Sequence, residues 1–266
     1  DDPVITLEIA RAFVARRGQE SETTREHRAS LLRVVTRFLA LEDPRTAVPG
    51  PRWCGIHRRP FVPRVLSLEE AQRFLRACDA LPSSPLSPVR GPVLGSLLAV
   101  LFLTGLRAGE GLRLCDRDVD LAEAVLHVRD TKFGKSRLVP VAADLTTRLS
   151  ACRAQVVRQF GARAPDAPFF PAPTHQAYSL TALHAAFHHV LYLADIPRRR
   201  EGRALRLHDL RPSFAVTRLT LWYRQRVDLD VILPALAIYL GHVGLASSQR
   251  YLQATPEIFT EVTGRL

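Results

Sequence analysis

Residues 92–104 carry no charged side chain and are apolar on every side. A helix without a wet face must be wrapped by other elements, so this segment predicts the buried centre of a helical domain, with Gly105 placed to end it. The run is interrupted by Gly95 and Ser96 and falls short of the roughly 20 residues that cross a bilayer. No membrane span is predicted.

A chain of 266 residues with 47% hydrophobic content can surround such a helix with a sizeable core, as one large domain or two ordinary ones. Lysine and arginine exceed aspartate and glutamate by 37 to 26, a formal charge of +11. That excess is expected of a protein that meets a polyanion, the alternative being a solvated basic surface. Cys54, Cys78, Cys115 and Cys152 lie far apart, without a CxxC pair or histidines at metal-ligand spacing. They read as free thiols in a reducing cytoplasm, and no metal site is expected. No secretory or transit peptide is visible, and the absence of methionine implies that the native start lies upstream.

The chain divides near residues 42–66, a proline-rich stretch that also holds Arg58, Arg59 and Arg64. This predicts a short helical segment over 1–42, a basic linker over 43–65 and a larger domain over 66–266. In the first part, Thr23-Thr24-Arg25-Glu26 resembles a capping box, and Leu31, Leu32, Val35, Phe38 and Leu39 recur at helical spacing. Arg25, Arg28, Arg33 and Arg37 share that helix, as a phosphate-contacting face or as a merely solvated one. Ser67-Leu68-Glu69-Glu70 is a second capping box. Residues 124–129 and 136–141 alternate as a β-hairpin would, and residues 144–160 and 179–193 read as helices. The fold expected is mainly α with a small β-hairpin or sheet.

Six polar residues stand out because together they suit one reaction. Attack on a DNA phosphate concentrates charge on two non-bridging oxygens, and arginine, always charged and forked, fits them. Arg107, in Thr104-Gly105-Leu106-Arg107-Ala108-Gly109-Glu110, follows the buried helix, with Glu110 near enough to orient it. His208-Asp209-Leu210-Arg211 sets a second arginine three residues from a histidine, so both can reach one phosphate. Leu240-Gly241-His242 precedes Tyr251, whose hydroxyl needs a base and nearby cations to become a nucleophile. Lys132, at the hairpin tip, can protonate a leaving oxygen, with Lys135 as its rival. Arg198, Arg199, Arg200, Arg203 and Arg206, ahead of His208, suit backbone contacts, or else form a basic disordered loop that touches nothing.

These motifs, in this order, resemble the catalytic domain of the tyrosine recombinases, or phage-integrase-type site-specific recombinases. The resemblance covers about residues 66–265. It implies a partial core-binding (SAM-like) domain ahead of the linker, and phosphate binding by Arg107 and Arg211 with Glu110 in support. It further implies Lys132 as general acid, His208 as general base or acid, His242 as a phosphate ligand and Tyr251 as the nucleophile of a 3′-phosphotyrosyl link. Double-stranded DNA as partner, a homo-tetramer on two duplexes, accessory DNA-bending or co-recombinase proteins, and a cytoplasmic, nucleoid-associated setting follow, with neither metal nor ATP as cofactor.

The chain departs from the common pattern at Pro212, which proline's tolerance in a first helical turn accommodates, and in the long stretch from Arg211 to Leu240, which is similar to recombinases of transposon-like elements. Residues 255–257 suggest a further helix whose Ile258, Phe259 and Val262 dock on a neighbouring protomer or on their own domain. Two other readings stay open. A type IB topoisomerase-like enzyme would share the chemistry without a specific site, and a DNA-binding accessory protein would have lost it.

Overall fold

The computed structural model describes residues 4–50, 53–55, 63–129, 136–200 and 202–241. The chain forms two compact units, Asp1–Phe61 and Val62–Leu266.

In the first unit, α1 (Leu7–Val14) packs against α2 (Glu22–Glu42). The start of α2 is set by Ser21, whose hydroxyl accepts from the Thr24 amide at 3.2 Å. The helix therefore begins earlier than the Thr23 signal suggested, because serine caps at least as well as threonine. Its core is small: Ala10, Val14, Ala29 and Leu32, flanked by Ile5, Trp53 and Cys54. Of the apolar residues expected to share a core face, only Leu32 is buried, whereas Leu31, Val35 and Phe38 are exposed. With α1 as the helix that covers it, α2 has one contact stripe narrower than its apolar periodicity.

The second unit begins at α3 (Leu68–Asp79), where Ser67 and Glu70 form the expected reciprocal cap at 3.1 and 3.0 Å. The apolar segment becomes α4 (Arg90–Thr104), with Val93, Leu94, Leu97, Leu98 and Leu101 in the main core. Around it pack α3, α6 (Ala143–Phe160), α7 (Leu180–Leu193) and α8 (Leu210–Arg224). At Gly95 an added Cβ would meet the Cys78 carbonyl oxygen at 2.1 Å, so the α3–α4 approach excludes any side chain there. The burial that the sequence demands of α4 thus fixes which helices stand beside it.

After the short α5 (Ala108–Leu112), β1 (Val119–Asp120), β2 (Val125–Val128) and β3 (Arg137–Pro140) make an antiparallel sheet in that order. The register sets Leu126 opposite Val139 and Val128 opposite Arg137. The hairpin was expected; β1 was not, being two residues long. A two-stranded ribbon, β4 (Arg199–Arg200) and β5 (Arg203–Ala204), precedes α8. Last among the described residues comes α9 (Leu229–Leu240), joined to α8 by a small cluster of Phe214, Ala215, Leu219, Leu233, Leu236 and Leu240. Among the described residues no helix is long and apolar enough to cross a membrane. The four cysteines are unpaired thiols, Cys78 and Cys152 buried.

Candidate active site

Gly105 ends α4 in the left-handed conformation, at φ +65°. A Cβ there would lie 2.8 Å from both Leu240 Cδ2 and Phe214 Cδ1, so α8 and α9 close directly on the turn. The turn delivers Arg107 to the first position before α5, where its amide donates to Glu110 Oε2 at 3.0 Å and its Nη1 to Oε1 at 2.7 Å. The Glu110 side chain is 2% exposed and that of Arg107 35%. A buried carboxylate therefore aims an arginine whose outer edge remains accessible.

Glu110 has a second cation. Arg137, the first residue of β3, donates Nη2 to Oε2 at 2.8 Å and Nη1 to Oε1 at 3.3 Å. Burial pushes the Glu110 carboxyl up, but hydrogen bonds and charge from Arg137 and Arg107 outweigh it and hold it at about 2. The group is a carboxylate throughout the physiological range.

His208 lies in the 3-10 turn Leu207–Asp209, which runs into α8. Asp209, fully buried, accepts from the Arg206 amide at 2.8 Å and pairs with the Arg206 guanidinium at 3.0 Å, which fixes the turn. Ser213, one turn on, donates to the Asp209 carbonyl at 2.7 Å and accepts from the Leu66 amide at 3.1 Å. Arg211 is 3% exposed; its Nη1 donates to the Gly105 carbonyl at 2.7 Å and its Nη2 to the Leu240 carbonyl at 2.6 Å. It thus joins the carboxyl ends of α4 and α9, helix termini whose carbonyls carry partial negative charge. Partial burial, then the charges of Arg211, Arg206 and Arg107, lower the His208 imidazole below its ordinary value, with Asp209 opposing. The shift favours the neutral imidazole, the form able to accept a proton.

The structure brings Arg107, Glu110, His208 and Arg211 into one electrostatic group. Lys132, Lys135, His242, Tyr251, Arg58 and Arg59 lie outside the described residues, as do Ile258, Phe259 and Val262. The described chain ends at Gly241, directly before His242, with Gly241 at φ +67°. Arg198, Arg199, Arg200 and Arg203 are exposed on and beside the β4–β5 ribbon. On α2, Arg25 and Arg28 turn inward instead. Arg25 donates to the Val14 carbonyl at 3.3 Å, and Arg28 to those of Phe13 and Ala15 at 3.0 and 3.1 Å, with Glu20 as a further partner. They brace the carboxyl end of α1; Arg37 is exposed and Arg33 half-buried.

Sequence reasoning missed Arg137, Ser213 and the structural use of Asp209. For Arg137 a signal existed: strand alternation puts it on the same face as the buried Val139, an unusual place for a charge.

The model of the phage integrase family matches residues 64–257. The chain is 37% identical over 265 residues to the Sinorhizobium fredii protein y4rE, which carries the name integrase/recombinase, across 99% of this chain and 83% of that one. It is 29% identical over 263 residues to tyrosine recombinase XerD of Bradyrhizobium diazoefficiens, across 95% and 78%. In fold it is similar to the XerH site-specific recombinase bound to its difH substrate, with a TM-score of 0.74 at 19% identity, covering 98% of this chain and 72% of that one. The Tn1549 transposon integrase in complex with transposon right-end DNA gives 0.69 at 16% identity, over 93% and 80%. The chain belongs to the phage integrase family of tyrosine recombinases.

Proposed function

We propose that this protein is a site-specific DNA recombinase of the integrase or transposase type, which breaks and reseals a phosphodiester through a covalent bond to Tyr251. The observation that carries the reading is that Arg211 joins the ends of α4 and α9 beside the turn that leads to Arg107, with the charges of both arginines acting on the His208 imidazole. Arg107 and Arg211 stabilise the charge that develops on the non-bridging oxygens. The neutral His208 takes the phenolic proton as Tyr251 attacks phosphorus, and His242 hydrogen-bonds the same phosphate. The bond to the 5′ oxygen breaks as Lys132 protonates it, Lys135 being the alternative donor. The 3′-phosphotyrosyl link conserves the energy of the broken bond, so resealing to a partner strand calls for neither ATP nor metal.

Double-stranded DNA is the substrate, gripped in part by Arg198, Arg199, Arg200 and Arg203, with Arg58, Arg59 and the helical first unit as further contacts. Two exchanges in a homo-tetramer on two duplexes complete the reaction. The test is covalent trapping: wild type and Tyr251→Phe are incubated with nicked genomic fragments in EDTA, denatured, and the retained DNA sequenced. Retention by wild type alone, at ends sharing a motif, is the expected result and yields the target site. Tyr251-dependent retention at unrelated ends would favour a topoisomerase-like enzyme, and equal retention by Tyr251→Phe would remove the nucleophile assignment.

A further inference from the structure

Arg137 has no part in the chemistry just described, yet it touches three of the elements that chemistry depends on. It opens β3 and pairs across the base of the hairpin with Val128. Its side chain is 10% exposed, and each guanidinium nitrogen has a partner. Nη1 and Nη2 grip the two oxygens of Glu110, and Nε donates to the Tyr239 carbonyl at 2.9 Å, in the last turn of α9. The guanidinium also lies flat against Gly241, where an added Cβ would meet Nη1 at 2.9 Å, Cζ at 3.2 Å and Nε at 3.3 Å. Gly241 is thus required twice, by its positive φ and by the arginine beneath it.

Neutralising Glu110 does not explain this arrangement, since Arg107 already pairs with it. Burying a second guanidinium costs free energy unless its donors are all met. What Arg137 adds is direction. A fork on both carboxylate oxygens leaves Glu110 one orientation, the one in which Oε1 faces Arg107 Nη1 and Oε2 the Arg107 amide.

We infer that Arg137 is a positioning residue for DNA cleavage: it locks Glu110 so that Arg107 is presented to the scissile phosphate, and it ties the end of α9 to that same carboxylate. The inference rests on the recombinase reading above. Lysine cannot replace it, since one ammonium does not span two carboxylate oxygens and a carbonyl in this geometry.

The experiment uses the DNA site recovered by trapping, as a nicked single-turnover substrate, in two forms. One carries the normal scissile phosphate, the other a methylphosphonate, in which a methyl group replaces one charged oxygen. Arg137→Lys should leave DNA affinity at the wild-type value and slow cleavage of the phosphodiester about 100-fold, the scale of a slightly misplaced catalytic group. On the neutral methylphosphonate, which gives Arg107 less charge to hold, the gap should narrow to about tenfold or less. Combined with Arg107→Lys, the substitution should add no further loss, because it acts through the residue already changed.

An equal gap on both substrates, or additive losses, would show that Arg137 serves the fold alone and would overturn the inference. So would a wild-type rate in Arg137→Lys. Arg137→Gln is run in parallel with thermal melting; if it does not fold, Arg137→Lys, which keeps the charge beside Glu110, decides the matter. Failure of the recombinase reading looks different: wild type itself then traps no DNA in a Tyr251-dependent way.

Discussion

Arginines on α2 and arginines around the end of α4 are equally conspicuous in the sequence, and the structure puts them to different use. Arg25 and Arg28 lie against a two-helix unit with a small core, and their donors hold the carbonyls at the carboxyl end of α1 and nearby glutamates. Arg107, Arg137 and Arg211 stand against a large core, where each is aimed by a buried partner: Glu110 for the first two, the carbonyls of Gly105 and Leu240 for the third. The difference teaches that charge count says little about a site. What distinguishes one is a guanidinium held in a single orientation by groups that have already lost their water.

The contrast is tested most severely at Arg211. Arg211→Ala should slow single-turnover cleavage about 10³-fold while leaving most DNA affinity intact, and should lower the melting temperature, since two buried carbonyls lose their donor. A parallel fall in affinity would make Arg211 a binding residue only. Glu110→Gln comes next: it leaves two guanidinium groups without a counter-charge and should cost about 3 kcal/mol in denaturant unfolding. In wild type the Glu110 contribution is present above the ordinary carboxylate value and is lost as pH falls from there through about 2, because the folded carboxyl is depressed. The variant should lack that acid-range component. On the α2 side, Arg28→Ala should cost about 1 kcal/mol of stability and leave the cleavage rate of bound DNA unchanged; a slower cleavage step would erase the contrast between the two groups.

The exposed β4–β5 ribbon is a third case, with arginine side chains open to solvent, although Arg200 also lies 3.9 Å from Glu70. Replacing Arg199, Arg200 and Arg203 with glutamine should reduce the slope of log affinity against log salt by about 3, near 0.9 per phosphate contact, without altering the cleavage rate of bound DNA. An unchanged slope would mean that the ribbon does not contact DNA. The subtlest effect is on pH. Burial and three neighbouring arginines depress the His208 imidazole, so the acid limb of cleavage should lie below the ordinary histidine value. Removing one of those charges with Arg206→Gln should move the limb to higher pH; a shift the other way would exclude His208 as the proton acceptor.

Much of the second unit was legible because its signals are local. The Ser67–Glu70 cap, the charge-free stretch 92–104 and the glycine that follows it are each signalled within a few consecutive residues; the cap and the glycine appear where the sequence placed them, and α4 begins two residues earlier, at Arg90. Arg107 and Glu110 are three residues apart, and their contact follows from that spacing. Arg137 was missed because its partners lie 27 and 102 residues away and no window along the chain contains them. The α2 stripe misled for the opposite reason: periodicity says which residues share a face, and only the neighbours of a helix decide which face is covered. The strand β1, two residues long, and the eight-residue α1 are too short for periodicity to register.

The β2–β3 register has a consequence for how such a protein can change. Val128 and Arg137 face each other as the pair that closes the described register of β2 and β3. The lock on Glu110 is made entirely at that pair. The arginine geometry is therefore set by paired backbone and by the two helices it touches, and none of the partners named above belongs to the sequence between the two strands. A substitution between the strands and a substitution at Arg137 thus act on separate contacts, so one can change while the other is kept.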